Sequence, residues 1–216
     1  MKKIMFNDKY GLQRAAIDGT KPMTRRAVPD KWQTTLTEIF EDCNYDYSKF
    51  WQISDVQFIT NEKAPYKVGE VVAIAQSYKD CGYDGDTKYG WCYDENEERT
   101  DVLYKDVPGW KNKMFVRSSR MPHAIRITDV KIERLQDISE EDVYKEGFKC
   151  ISVNNGWGNY ANHWEAMLVY YDKLGRTKTI QSRDPRDAFS YLIDKVSGRG
   201  TWERNPWVFA YTFERV

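Results

Sequence analysis

The sequence lacks any long apolar run, and it has no excess of charge of either sign. No stretch approaches the about 18 uninterrupted apolar residues that a membrane-spanning helix needs, so we expect no membrane partner. Lysine plus arginine equals aspartate plus glutamate, at 33 each, which argues against broad adhesion to nucleic acid but is compatible with a local basic patch. The N-terminus has charges but no apolar core, so we expect no secretory signal and a cytoplasmic protein.

The spacing that metal sites require is also missing. None of the four cysteines forms a C-x-x-C pair, and there are only two histidines. A structural zinc site is therefore not expected, and we assign no metal and no cofactor to the chain. The acidic run at residues 94–98 is interpreted as a solvated hairpin tip. A calcium loop is the less favoured interpretation, because the regular spacing of calcium ligands is absent.

The most informative stretch that is present is residues 18–26, with the sequence D-G-T-K-P-M-T-R-R. It follows a short apolar helical pattern that a glycine ends. If residues 23–28 are extended, Thr24 and Arg26 point to one face of the strand and Arg25 to the other. Cationic groups beside a hydroxyl suit an anionic or carbonyl-bearing ligand. The alternative is a solvated basic turn, since charged surface is common.

Few helices and many strands are predicted along the chain. We expect strands at residues 3–6, 71–78, 114–116, 124–135 and 207–216. A capping box at residues 139–142 and an Asp-Pro pair at residues 184–185 each predict the start of a helix. Residues 50–60 resemble a hairpin strand, whereas residues 34–40 and 163–171 fit either a helical segment or a strand.

This order of elements predicts an α+β protein built on a compact, barrel-like mixed sheet with a few flanking helices. We expect residues 1–216 to form a single domain with inserted hairpins near residues 29–65, 80–112 and 148–182. There is no internal repeat, low-complexity tract or linker long enough to separate two domains.

The pattern G-x-K-x-x-T-x-R is formed by Gly19, Lys21, Thr24 and Arg26, and in this motif the chain resembles ASCH domains. The resemblance extends to residues 124–147 and 200–208, which are similar to segments of bacteriophage and prophage ASCH proteins that carry a "morphogenetic protein" label. Residues 29–65, 80–112 and 148–182, together about half of the chain, lie outside the resemblance. The resemblance implies a PUA-like fold, which is a mixed β-barrel, and a superfamily that binds RNA.

The first functional hypothesis from this resemblance is that RNA or a modified nucleoside binds in a basic cleft. One ASCH branch comprises bacterial amidohydrolases that deacetylate N4-acetylcytidine. On the matching positions, that branch implies Lys21 as base, Thr24 as nucleophile and Glu146 as the carboxylate that completes the site. A lysine desolvated in a cleft can take the proton of a threonine hydroxyl. Hydrolysis of an acylated nucleoside is thus the alternative function, with a ribonuclease as its variant.

Three further residues are candidate ligand contacts. Arg25 and Arg26 carry guanidiniums suited to phosphate or carbonyl oxygens. His123 lies between two predicted strands, where a histidine is more often a hydrogen-bonded structural residue. A simpler interpretation of Glu146 is that it is a solvated residue at the end of a helix. The third hypothesis is a phage-derived structural or assembly factor with an inactive cleft, and the sequence identifies no protein partner.

Overall fold

The protein has a mixed α+β structure, as the sequence predicts. The computed structural model describes residues 1–89, 92–93, 99–100, 102–153, 163–172 and 174–216. Within these ranges the α-helices are α1 (Leu12–Asp18), α2 (Asp30–Asp42), α3 (Tyr47–Phe50), α4 (Ser54–Phe58), α5 (Glu140–Lys145), α6 (Pro185–Ser197) and α7 (Thr201–Arg204). The strands are β1 (Lys3–Ile4), β2 (Met23–Ala27), β3 (Val71–Ile74), β4 (Cys92–Tyr93), β5 (Arg99–Thr100), β6 (Ala124–Arg134), β7 (Lys149–Val153), β8 (His163–Tyr171), β9 (Thr177–Ser182) and β10 (Trp207–Arg215).

These residues divide into two compact units. Unit 1 comprises residues 1–6, 71–125 and 215–216, and unit 2 comprises residues 7–70 and 126–214. The described strands do not close into a barrel. Within the same ranges, every helix is too short or too polar to cross a lipid bilayer.

In unit 1, a short parallel pair of strands forms where the sequence predicts buried strands. β1 pairs with β3, with Lys3 opposite Ala73 and Ile4 opposite Ile74. The predicted strand at residues 114–116 is wrong, because Lys113–Phe115 is a 3-10 turn. The carbonyl oxygens of Met114 and Val116 accept hydrogen bonds from the Lys3 ammonium, at 2.8 and 2.9 Å, and so satisfy their hydrogen-bonding needs without a partner strand.

The insertion at residues 80–112 contains a short strand pair and several turns. β4 and β5 are antiparallel, as expected of an inserted hairpin. The acidic run between them, at residues 94–98, lies outside the described residues. Nearby, Gly109 contacts the Tyr78 ring so closely that an added Cβ would lie 2.5 Å from it, so only glycine fits there.

In unit 2, three strands lie side by side in the order β6, β10, β2. β10 is antiparallel to β2, which places Tyr211 opposite Thr24 and Phe209 opposite Arg26. The first five residues of β10 are all buried, as is typical of a central strand that is covered on both faces. Thr24 and Arg26 of the G-x-K-x-x-T-x-R motif therefore lie on the end strand of this set, and Gly19 and Lys21 lie in the turn before it.

Residues 29–65 do not form the inserted hairpin that the sequence predicts. They form α2, α3, α4 and a π-helix at Ile59–Lys63. The Phe50 ring stacks on the Trp207 ring at a centroid distance of 4.9 Å, and Phe40 packs edge-on against both. These ring contacts involve a strand more than 150 positions away in sequence, and such tertiary packing overrides the local β-pattern.

The insertion at residues 148–182 forms an antiparallel sheet in the order β7, β8, β9. Residues 163–171 are therefore a strand, one of the two structures that their pattern allows. One face of the sheet buries Leu168 and Ile180 against α6. That helix begins as predicted, because Asp184 accepts a hydrogen bond from the Arg186 N–H and Pro185 occupies the first helical position.

Candidate functional site

The basic motif is held in place by the end of α1 and by β10. Gly19 ends α1 in the left-handed region, at φ 79°, and its N–H donates to the Ala16 carbonyl. The Lys21 N–H then donates to the Ala15 carbonyl at 3.1 Å, and the Pro22 carbonyl accepts the Phe213 N–H at 2.9 Å. The backbone on both sides of Lys21 is thus fixed by hydrogen bonds.

Glu146 is positioned by α5, which begins at the predicted capping box. The Ser139 hydroxyl accepts the Asp142 N–H at 3.1 Å, and Glu146 directly follows the last residue of the helix. Gly147 follows at φ 107°, a conformation that favours glycine. It lies against the Lys21 side chain, whose Cβ is 3.6 Å from the position of an added Cβ.

Lys21 and Glu146, which lie 125 positions apart in sequence, form a buried ion pair. The Lys21 ammonium donates to the Glu146 carboxylate and also to the Glu146 carbonyl at 2.9 Å. Their side chains are 2% and 6% exposed, so water does not screen the pair. Burial lowers the pKa of Lys21, and the adjacent Glu146 carboxylate opposes that shift without cancelling it.

Arg25 extends this pair into a larger buried ion network, which we define as Lys21, Arg25, Glu133, Asp142 and Glu146. The Arg25 guanidinium contacts Glu133 at 2.7 Å, Asp142 at 2.9 Å and Glu146 at 3.0 Å. Its side chain is only 1% exposed. The network therefore contains two cations and three carboxylates.

The network holds Arg25 and Asp142 in their charged forms. Burial by itself would lower the pKa of Arg25, but Glu146, Glu133 and Asp142 together raise it. Burial would raise the pKa of Asp142, and Arg25 and Lys131 instead hold it below its usual range. The Lys131 ammonium lies 2.9 Å from the Glu133 carboxylate and offsets its negative charge.

A second group of side chains, the polar face of β2, consists of Thr24, Arg26, Tyr66 and Tyr211. Thr24 and Tyr211 are opposite each other on paired strands and so share a face with Arg26. The Tyr66 and Tyr211 rings meet edge to face at 5.5 Å. Burial lowers the pKa of Arg26, which lies within electrostatic reach of both tyrosines and of Glu146.

The Tyr211 hydroxyl is buried without a hydrogen-bond partner among the described residues. The Tyr66 backbone N–H lies near its oxygen but does not complete a bond. Burial raises the pKa of Tyr211, so the phenol keeps its proton and is able to donate. On the same face, Thr24 is only 4% exposed.

The structure brings most of the predicted site residues into unit 2. Lys21 and Glu146 meet directly, and Arg25 binds the same carboxylate from the other side. Thr24 and Arg26 belong to the polar face of β2. His123 is in unit 1, where it is half-buried and its carbonyl accepts the Ile74 N–H at 2.9 Å.

Sequence reasoning missed three residues that contribute to these groups, namely Glu133, Asp142 and Tyr211. Asp142 had a detectable signal, because it lies four positions before Glu146 on a predicted helix and so shares its face. The other two lie on long strands of alternating residues, where nothing local distinguishes them from their neighbours. Among the described residues, no cluster of three or more acidic, histidine or cysteine side chains has the arrangement of a metal site.

Similarity to known proteins assigns no role to these side chains. No protein family model, curated protein or solved structure matches the chain. The site therefore consists of a buried ion network and an adjacent face that carries one buried hydroxyl without a partner among the described residues.

Proposed function

We propose that the protein binds a modified nucleoside, free or within RNA, at the polar face of β2. We also infer an ASCH-like, PUA-related fold. Its support is the G-x-K-x-x-T-x-R motif, which follows a helix and forms the turn and end strand of a sheet in unit 2.

The buried Tyr211 hydroxyl is the observation that carries this proposal. A buried polar group without a partner costs stability, about 1–3 kcal/mol, so such groups are rare unless a ligand or water satisfies them. Opposite it, Thr24 offers a second hydroxyl, and Arg26 adds guanidinium donors on the same face. Together they form a donor-rich surface that suits carbonyl and ring-nitrogen acceptors of a base.

The charges around this face favour a neutral ligand over a phosphate. Lys21 and Arg25 are already paired with carboxylates, so neither contributes an uncompensated positive charge. An anion would also meet the three carboxylates of the network. A nucleoside base, which is polar but uncharged, avoids that repulsion.

Calorimetric titration of N4-acetylcytidine, cytidine and uridine tests the proposal. We expect binding of at least one nucleoside, weakened about three- to tenfold in Thr24→Val, since a neutral hydrogen bond contributes about 0.5–1.5 kcal/mol. The matched control is Thr177→Val, an exposed strand threonine of β9. If Thr24→Val and Thr177→Val bind alike, the site is refuted and the inactive assembly factor becomes the better description.

The second candidate function is hydrolysis of an acyl group from such a nucleoside. The observation that favours it is the burial of Lys21. Its lowered pKa increases the fraction of Lys21 side chains that are neutral amines and so are able to act as a base. In the proposed step, Lys21 takes the Thr24 proton while the hydroxyl oxygen bonds to the acyl carbon. The C–N bond breaks, the amine leaves with that proton, and water then hydrolyses the threonine ester.

Detection of cytidine released from N4-acetylcytidine tests this candidate. We expect Thr24→Val and Lys21→Met to lower the rate by about 100-fold or more, the usual contribution of a nucleophile or general base. The wild-type rate should rise with pH as Lys21 loses its proton. Release that persists in both variants, or that is absent from the wild type, rules out this chemistry and leaves the binding proposal intact.

A further inference from the structure

A cavity of about 420 Å³ lies in unit 2 beside the ion network but is separate from the polar face of β2. Thr20 and Gly147, the chain neighbours of Lys21 and Glu146, form part of its wall. Its other walls come from residues 8–11, from α1, and from β7 and β8. The volume falls within the range of about 300–1,000 Å³ that is usual for small-molecule pockets.

Tyrosines dominate the aromatic part of this cavity, which we call the tyrosine pocket. The Tyr10 and Tyr170 rings lie 4.9 Å apart at an angle of 58°, and Tyr171, the next residue of β8, lines the same pocket from the opposite face of the strand. Tyr10 is 3% exposed and thus a fixed wall, whereas Tyr171 is 65% exposed and offers a ring to solvent. Met167 adds a polarizable thioether. These are surfaces on which a planar base stacks.

Two lysines of the lining have charge to offer an anion, and one further carboxylate, that of Asp8, lines the same pocket. Lys149 is exposed on β7, and no carboxylate of the described chain pairs with it. The Lys9 ammonium lies 5.2 Å from the Tyr10 ring centroid, so a cation is held at the edge of the aromatic wall. Arg14 contributes less, because it pairs with Asp18 at 2.8 Å.

We propose that the tyrosine pocket binds a 5′-mononucleotide, with its base on the tyrosines and its phosphate between Lys9 and Lys149. Aromatic rings beside cationic side chains are the combination that binds single-stranded nucleic acid, because bases stack on the rings and the cations attract the phosphates. The volume admits one nucleotide rather than a helix. This site goes beyond the nucleoside proposed for the polar face of β2, because it needs a phosphate and uses different side chains.

Calorimetric titration with cytidine 5′-monophosphate, cytidine and ribose 5-phosphate tests this inference. We expect the nucleotide to bind at least about fivefold more tightly than either fragment, since base stacking and charge pairing both contribute. Tyr171→Ala and Lys149→Glu should each weaken nucleotide binding by about fivefold or more. The matched controls, Tyr191→Ala on α6 and Lys31→Glu on α2, should bind like the wild type.

The same variants keep this site distinguishable from the nucleoside site. Thr24→Val should leave affinity for cytidine 5′-monophosphate unchanged, whereas Lys149→Glu should leave affinity for N4-acetylcytidine unchanged. A 5′-phosphorylated RNA trinucleotide that binds more tightly than the mononucleotide assigns the pocket to an RNA end, and equal binding assigns it to a free nucleotide. Nucleotide affinity equal in Tyr171→Ala, Lys149→Glu and their controls overturns the inference.

Discussion

Lys21 is subject to opposing electrostatic effects, and its neighbours determine the balance. Removal from water disfavours its ammonium, while the Glu146 carboxylate and carbonyl favour it. Glu146 does not depend on Lys21 alone, because Arg25 binds its other oxygen at 3.0 Å. The three residues should therefore be energetically coupled rather than independent.

A double-mutant cycle of Lys21→Met and Glu146→Gln measures that coupling. Each single change leaves a buried charge with fewer partners, which destabilises the fold, whereas the double change removes both charges. We expect a coupling energy of about 1–3 kcal/mol in the free energy of urea unfolding. Strict additivity of the two single changes would show that the pair contributes nothing specific to stability.

The sequence predicted the residue types of this site better than their partners. It predicted that Lys21 and Glu146 would meet, because both belong to segments that resemble one family. It assigned Arg25 to a ligand, yet the structure pairs Arg25 with Glu133 and Asp142, more than 100 positions away. Strand alternation gives the face on which a side chain lies but not what folds against that face.

Among the elements, α5 contributes most to the site. It carries Asp142 and is followed at once by Glu146, so one short helix supplies two of the three carboxylates. Its N-terminus is fixed by Ser139, and Arg25 of β2 binds both acids. A six-residue helix is marginal by itself, so these tertiary ion pairs must help to hold it in place.

Asp142 should make the free energy of unfolding depend on pH in the acidic range. Its pKa is lowered in the folded state, so it stabilises the fold above its unfolded pKa, and that contribution is lost as pH falls through the folded value. We expect the free energy of unfolding to fall from about pH 5 downwards, and less steeply in Asp142→Asn. Chemical denaturation at several pH values measures this.

The control for this experiment is Asp55→Asn, an exposed acid of α4 that should keep the wild-type slope. The difference in stability between the wild type and Asp142→Asn should also shrink towards low pH. Parallel curves for these two proteins would show that Asp142 is not the group responsible.

Elements with strong local signals were predicted well. The caps at Ser139 and Asp184 placed α5 and α6, and the alternating end of the chain placed β10. Residues 50–60 were wrongly predicted as a hairpin strand, whereas residues 34–40 form a helix, one of the two structures that their pattern allows. Phe40 and Phe50 pack on Trp207 of β10. That information resides in the tertiary contacts and not in the segment.

At the scale of the whole molecule, the balance of 33 basic and 33 acidic residues limits how the protein meets nucleic acid. Both proposed ligands are small, and only Lys9 and Lys149 of the tyrosine pocket are assigned to a phosphate. We expect the slope of log affinity against log salt to be shallower than about −2 for a single-stranded RNA. A much steeper slope would reveal a broad basic surface instead.

The Tyr211→Phe variant gives the most direct test of the central claim, because it removes one hydroxyl and nothing else. If that hydroxyl binds the ligand, the free energy of unfolding of the variant should equal that of the wild type or exceed it by up to about 1 kcal/mol. N4-acetylcytidine should bind the variant about three- to tenfold more weakly. Tyr191→Phe, exposed on α6, should change neither. A Tyr211→Phe protein that loses stability and binds the nucleoside as tightly as the wild type would contradict the claim.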